Sequence, residues 1–149
     1  MRKLAVFCTL PGEDRRLLLD AFVAAALFRL ALFFFSIDRL RTWAARADRS
    51  RQPLDRIVWA GGVAARRVPG TTCLSSALAL QRLLSAHGHD SELHIGVAHE
   101  DGAFAAHAWV EQDGRVLIGE AERRTYTRLV SWPIDGVSPG IGADRVHPR

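Results

Sequence analysis

A cysteine and a histidine stand 34 positions apart in this chain, each in a setting that suits covalent catalysis. Cys73 follows Pro69-Gly70 and opens a stretch in which Leu74, Ala77, Leu78, Leu80, Gln81 and Leu84 recur at helical spacing as far as the turn at Gly88. A helix start carries roughly half a positive charge, which stabilises an anion placed there and so suits a sulfur nucleophile. His107 lies within Phe104-Ala105-Ala106-His107-Ala108-Trp109-Val110-Glu111, an alternating, strand-like segment. An imidazole is the side chain best matched to moving a thiol proton near neutral pH. Plainer accounts exist for each alone: a single cysteine is more often a small buried hydrophobe, and a histidine on a strand more often a satisfied structural group. Nucleophilic attack by sulfur, with the histidine as general base and then acid, is the chemistry the two together would serve.

A helix must then present the thiol and a sheet must present the imidazole. Residues 4–10 read as a short strand or extended arm, and Glu13 to about Ser36 as a strongly apolar helix with Glu13 and Asp14 at its positive end. Ser36-Ile37-Asp38 caps a second helix through Leu40, Trp43, Ala44 and Ala47. Pro53 begins a third, with Leu54, Ile57, Val58, Ala60, Val63 and Ala64 as its stripe. Gly61-Gly62 within it predicts either a close helix crossing or a break, and Arg66-Arg67-Val68-Pro69-Gly70 ends it and delivers the chain to Cys73.

After the central helix, Ser91 to Ala98, Phe104 to Glu111, Arg115 to Gly119 and Thr127 to Trp132 read as strands. His99 to Gly102 and Gln112-Asp113-Gly114 serve as hairpin turns. Helices first and an antiparallel sheet afterwards predict an α+β domain. On the second strand, period two puts Phe104, Ala106, Ala108 and Val110 on one face and Ala105, His107, Trp109 and Glu111 on the other. The first set suits a core against the helices, which turns His107 away from the Cys73 helix unless twist or a bulge brings it round; alternatively the Trp109 face meets the helix. The expected organisation is an N-terminal helical region over 1–52, a core over 53–132 and an irregular tail over 133–149.

At 149 residues, with 48% hydrophobic and 24% charged residues, the chain has room for one self-sufficient domain. The net charge of +4 comes almost wholly from arginine, Lys3 being the only lysine, and no basic and aromatic interleaving accompanies it. Nucleic acid is therefore not an expected partner, whereas an acidic peptide fits the charge. Cys8 sits in an apolar segment away from any helix start and reads as structural. Neither cysteine has metal-ligand spacing to another, and His87, His89, His94 and His99 read as a polar rim. Two cysteines make no disulfide framework, so a reduced, cytoplasmic setting is expected. Pro11 to Arg16 interrupts the first apolar segment too early for a secretory signal. Residues 17–35 approach the length of a membrane span, but Asp20 and Arg29 each cost about 2.5–3.5 kcal/mol at a bilayer centre, which favours a buried helix or one docked to a partner.

The stretch Pro69-Gly70-Thr71-Thr72-Cys73-Leu74, with Glu92 to Val97 and Ala106-His107-Ala108-Trp109-Val110-Glu111, resembles the transglutaminase-like cysteine protease family that removes leader peptides in lasso-peptide biosynthesis. The likeness covers roughly residues 53–120, and 13–48 also resemble the region preceding the core in that family. It implies a papain/transglutaminase-like core with N-terminal helices beside a small antiparallel sheet, working without cofactor or metal. Cys73 would attack the scissile carbonyl, His107 would carry the proton, and the Cys73 backbone N–H would face the oxyanion. The family's histidine is oriented by a third residue, often an aspartate on the following strand. Here that strand runs Leu117-Ile118-Gly119-Glu120, so Glu120 is the first candidate, Glu111 the second and Asp113 the third. Trp109 either shapes the cleft or fills the core. Short members of the family act on a precursor peptide with a separate leader-recognition protein. The apolar helix 17–35 is a candidate surface for that protein or for the lasso cyclase. Two other readings use the same residues: acyl transfer to an amine, as in a transglutaminase, and a non-catalytic scaffold with a buried Cys73.

Overall fold

Leucine and alanine recur on every side of the segment after Cys73, and a helix of that composition has to be covered on most of its faces. A computed structural model describes residues 9–44, 52–100, 103–119 and 127–133. Along the described chain run α1 (Gly12–Ala31), α2 (Ile37–Ala44), α3 (Leu54–Arg67) and α4 (Cys73–Ala86), then β1 (Glu92–Glu100), β2 (Ala103–Gln112), β3 (Arg115–Ile118) and β4 (Thr127–Pro133). The helix α4 is the hub, packing against α1, α2 and α3 and also against β1 and β2. Ala77, Leu78, Leu80 and Leu84 are buried there. Each such leucine contributes about 1.5–3 kcal/mol relative to leaving it exposed, so the register of α4 is firmly set.

Around this hub the outer helices follow their apolar spacing. On α1, Leu17, Leu18, Ala21, Ala24, Ala25 and Phe28 are buried, whereas Leu19, Val23, Leu27 and Leu30 are exposed. The helix stops at Ala31, short of the Ser36 that apolarity alone predicts. Phe33 N–H bonds to Leu30 O and the amides of Phe34 and Phe35 to Ala31 O, closing a turn over Leu32–Phe35. Three successive aromatic residues are weak helix formers, and the turn lets Trp43 of α2 pack on Phe28 with ring centroids 5.1 Å apart. Asp14, buried in the first turn of α1, pairs with Arg56 of α3. The glycine pair does not break α3. A Cβ on Gly61 would lie 2.9 Å from Leu80 Cδ1, so the small residue permits a close α3–α4 crossing.

The four strands form one antiparallel sheet in the order β3-β2-β1-β4. Leu93 pairs with Val110, His94 with Trp109, Ile95 with Ala108 and Gly96 with His107. Between β2 and β3, Asp113 (φ 50°) and Gly114 (φ 76°) make the tight turn expected of Asp-Gly, flanked by the Gln112–Arg115 pair. Helices followed by an antiparallel sheet make the domain α+β, as the order of periodicities predicts. Thr9 is helical where an extended arm was expected. Residues 4–8 of that arm, Cys8 among them, and the tail beyond Pro133 lie outside the described residues. Among the described residues, no helix is long and apolar enough to cross a membrane.

Candidate active site

The turn that delivers Cys73 is built largely by its own neighbours. Val68 closes α3, and Gly70 takes φ +71°, a left-handed conformation that glycine adopts freely. Thr71 donates its hydroxyl to Val68 O at 2.6 Å. Thr72 is extended and caps α4: Ser75 N–H bonds to Thr72 Oγ1 at 3.2 Å while Thr72 N–H bonds to Ser75 Oγ at 2.8 Å. The cap thus engages the amides of Thr72 and Ser75, not that of Cys73. One distant residue joins in, since Arg29 Nε donates to Pro69 O at 2.9 Å and its guanidinium lies against Gly70 and 5.4 Å from the Phe33 ring centre. Cys73 is the first residue of α4, half-buried, with a free thiol. Beside it opens a cavity of about 360 Å³ lined by Arg29, Leu32, Phe33, Gly70, Thr72 and Ser75. A larger cavity of about 680 Å³ involves Arg82 and His87 near the other end of α4, roughly 13 Å along the helix axis from Cys73, and is remote from this chemistry.

His107 is set by contacts across strands. Ala108 and Val110 of β2 join the core cluster with the helices, so the face read as core does meet them. His107, Trp109 and Glu111 stand in the opposite phase of the strand. There Trp109, 1% exposed, stacks on His107 (centroids 6.3 Å apart, planes 13° apart) and on His94 (5.5 Å, 28°). Its Nε1–H donates to Glu111 Oε1 at 2.9 Å. His94 is fully buried, which corrects its placement on a polar rim: His94 Nδ1 is 2.7 Å from Ser131 Oγ of β4, and Nε2 is 3.5 Å from carboxylate oxygens of Glu111 and Glu92. Its cross-strand position opposite Trp109 puts it beneath a large ring, and alternation alone does not reveal that. Next to β3, Gly119 (φ +89°) has no room for a side chain, since a Cβ there would lie 2.8 Å from His107 Nε2.

Of the three candidate orienting carboxylates, Glu120 lies outside the described residues. What is described is its neighbour Gly119, pressed against the Nε2 edge of the His107 ring. Glu111 is buried and engaged by Trp109, whereas Asp113 is exposed in the β2–β3 turn. The structure therefore groups His107 with Trp109, Glu111, His94 and Gly119 on one face of the sheet, while Cys73 starts the helix that packs on β2 from the other face, through Ala108 and Val110; alternation alone thus turns His107 away from that helix. Reading the sequence missed Arg29, His94 and the two close-packed glycines, Gly96 and Gly119. The glycines did carry a signal, because glycine in or beside a strand often marks a close approach. Arg29 carried none, its acceptor being 40 positions away. Among the described residues, no group of three or more His, Cys, Asp or Glu side chains is arranged to hold a metal.

The model of the transglutaminase-like superfamily matches residues 17–131, from the middle of α1 into β4. No curated protein matches, and neither does any solved structure.

Proposed function

The chain belongs to the transglutaminase-like superfamily, whose members are often cysteine proteases or acyltransferases, and from that premise we propose that it is a cysteine peptidase removing the leader from a lasso-peptide precursor. The observation that carries the proposal is a free thiol at the first position of a capped helix, on a helix packed against the strand that bears His107. The narrower substrate assignment rests on the Pro69-Gly70-Thr71-Thr72-Cys73-Leu74 and Ala106-His107-Ala108-Trp109-Val110-Glu111 motifs.

In this reading strand twist brings the His107 ring round from the phase opposite Ala108 and Val110 to Cys73; the thiol gives its proton to His107, and Sγ adds to the scissile carbonyl carbon. The oxyanion forms at the positive end of α4, facing the Cys73 amide that the cap leaves out. When the C–N bond breaks, His107 returns the proton to the leaving amine, and a thioester remains. Water, deprotonated by the same imidazole, then releases the leader as a carboxylic acid and restores the thiol. Glu120 is assigned to hold the Nε2 side of the ring, where Gly119 brings the chain past His107. A separate leader-recognition protein delivers the precursor, and the exposed Leu19, Val23, Leu27 and Leu30, with the exposed Phe33–Phe35 turn, form its docking surface or that of the lasso cyclase.

Mass spectrometry of a precursor incubated with the protein and its recognition partner tests this directly. The expected products are a free leader acid and a core peptide that together exceed the precursor by one water. An unchanged precursor overturns the proposal, and leader joined to an added amine turns it into acyl transfer. Replacing Phe33 and Phe34 by serine should weaken leader-dependent cleavage without unfolding the protein, and undiminished cleavage would remove the docking assignment.

A further inference from the structure

The buried polar group on the sheet lies against the proposed base without belonging to the Cys73 turn. We propose that Glu111, acting through the Trp109 indole, is a positioning residue that fixes the plane of the His107 imidazole; this rests on His107 being the general base. An imidazole on a strand can turn about two side-chain bonds, and a base useful to Cys73 needs one of those orientations held. The indole supplies a flat wall, its plane within 13° of the imidazole and its centre 6.3 Å away, inside the range of offset stacking. A wall that can itself rotate fixes nothing. The bond from Trp109 Nε1–H to Glu111 Oε1 removes that freedom.

Three further features show the indole to be held from several directions. His94 stacks on it from the neighbouring strand and is itself held 2.7 Å from Ser131 Oγ of β4. The second oxygen of Glu111 lies 3.5 Å from His94 Nε2, so one carboxylate faces both rings. Opposite His107 stands Gly96, where a Cβ would come within 2.9 Å of Trp109 Cζ3 and of the Thr127 carbonyl oxygen. The benzene ring of the indole thus occupies the space that a side chain at this position would take. Contacts from β1 and β2 therefore converge on one ring, with β4 holding His94 behind it, and that ring faces His107. Glu111 was a candidate for touching the imidazole itself; the geometry points to action at one remove.

The test uses the full chain with precursor and recognition protein, together with a two-dimensional proton–carbon spectrum of the histidine rings. The His107 Hδ2 cross-peak is assigned by its loss in His107→Gln. In Glu111→Ala, kcat should fall about 10- to 100-fold with KM nearly unchanged, while the His107 cross-peak shifts and broadens as the ring samples several orientations. Glu111→Gln, whose amide oxygen can still accept from the indole, should recover most of the rate and the sharp cross-peak. Trp109→Phe keeps a ring but lacks the donor; it should reproduce the Glu111→Ala loss, and the double variant should be no slower than either single one. Should Glu111→Ala fail to fold, Trp109→Phe reads the same bond from the donor side. Losses that multiply in the double variant, or an unmoved His107 cross-peak in both single variants, overturn the proposal. A wild type that shows no Cys73-dependent cleavage removes the peptidase reading instead, and the spectrum alone then decides whether Glu111 orients His107.

Discussion

The two halves of the candidate site are held by different kinds of structure. Around Cys73, the turn and cap are made by residues 68–75, with Arg29 as the distant brace among the described residues. Around His107, Trp109 stacks from two positions along the same strand, but the indole is in turn covered by His94 of β1, which Ser131 of β4 holds, and Gly119 closes on the ring from beyond β3. A nucleophile at a helix start can be specified by local rules, because the cap, the left-handed glycine and the helix charge all act within a turn of it. A base on a strand depends on sheet register, since a slip of one residue would put Ala108 where His107 stands. Damage near Cys73 should therefore be graded and local, and damage near His107 abrupt and shared among strands.

The largest effects come from the reacting groups. Cys73→Ala and His107→Ala should each lower cleavage by at least about a thousandfold, with far-ultraviolet circular dichroism unchanged, because members of a nucleophile–base unit fail together. If His107→Ala retained a tenth of the activity, the sheet half of the site would have no catalytic role and the contrast would collapse. A more discriminating pair uses two of the left-handed glycines, Gly119 and Gly70. At Gly119 a Cβ would meet the His107 ring, Trp109 Cβ and the Ala108 carbonyl, the last two fixed by the backbone and the first able to yield only by turning the base, so Gly119→Ala should cost about 1–3 kcal/mol and much of the activity. At Gly70 the obstructing atoms are the guanidinium end of Arg29, which is flexible. Gly70→Ala still strains the backbone, yet it should cost less and spare more of the rate. Denaturant midpoints and kcat for the two variants decide the matter; a reversed order would mean that the Arg29 brace, not the sheet, is the rigid part.

The same division explains how much could be read in the sequence. Leu78, Leu80 and Leu84 announce α4, Asp113-Gly114 announces the β2–β3 turn, and Pro69-Gly70 announces the helix stop, because each pattern acts over a few residues. The identities of Cys73 and His107 as candidates follow from the same short-range signals. What escaped was set at a distance. The apolar run through Phe35 gave no hint that α1 would end at Ala31, since the reversal is fixed by Trp43 packing on Phe28. Nor did a histidine among other histidines signal that His94 would be buried under Trp109 with Ser131 as its partner. Period two did divide the strand correctly into its faces, but only the packing of Ala108 and Val110 shows which of them meets the helices.

The smallest expected effect is at the cap. Thr72→Ala removes the oxygen that accepts Ser75 N–H, but Ser75 Oγ can still accept from the amide of residue 72, so half of the capping box survives. Losing a cap typically costs about 1 kcal/mol, and the retained half places this variant toward the lower end. Leu78, Leu80 and Leu84 anchor the rest of α4 in the core, so the loss should appear as fraying of the first turn alone. Amide hydrogen exchange should accelerate at Ser75 and Ser76 and stay slow at Leu84. Cys73 belongs to the fraying turn, and cleavage should drop by about twofold to fivefold, the factor that corresponds to such an energy, while Thr72→Ser restores it. A loss approaching that of Cys73→Ala, with exchange unchanged beyond Ser76, would show that the threonine does more than hold the helix start, and the nucleophile half of the site would no longer be the graded one.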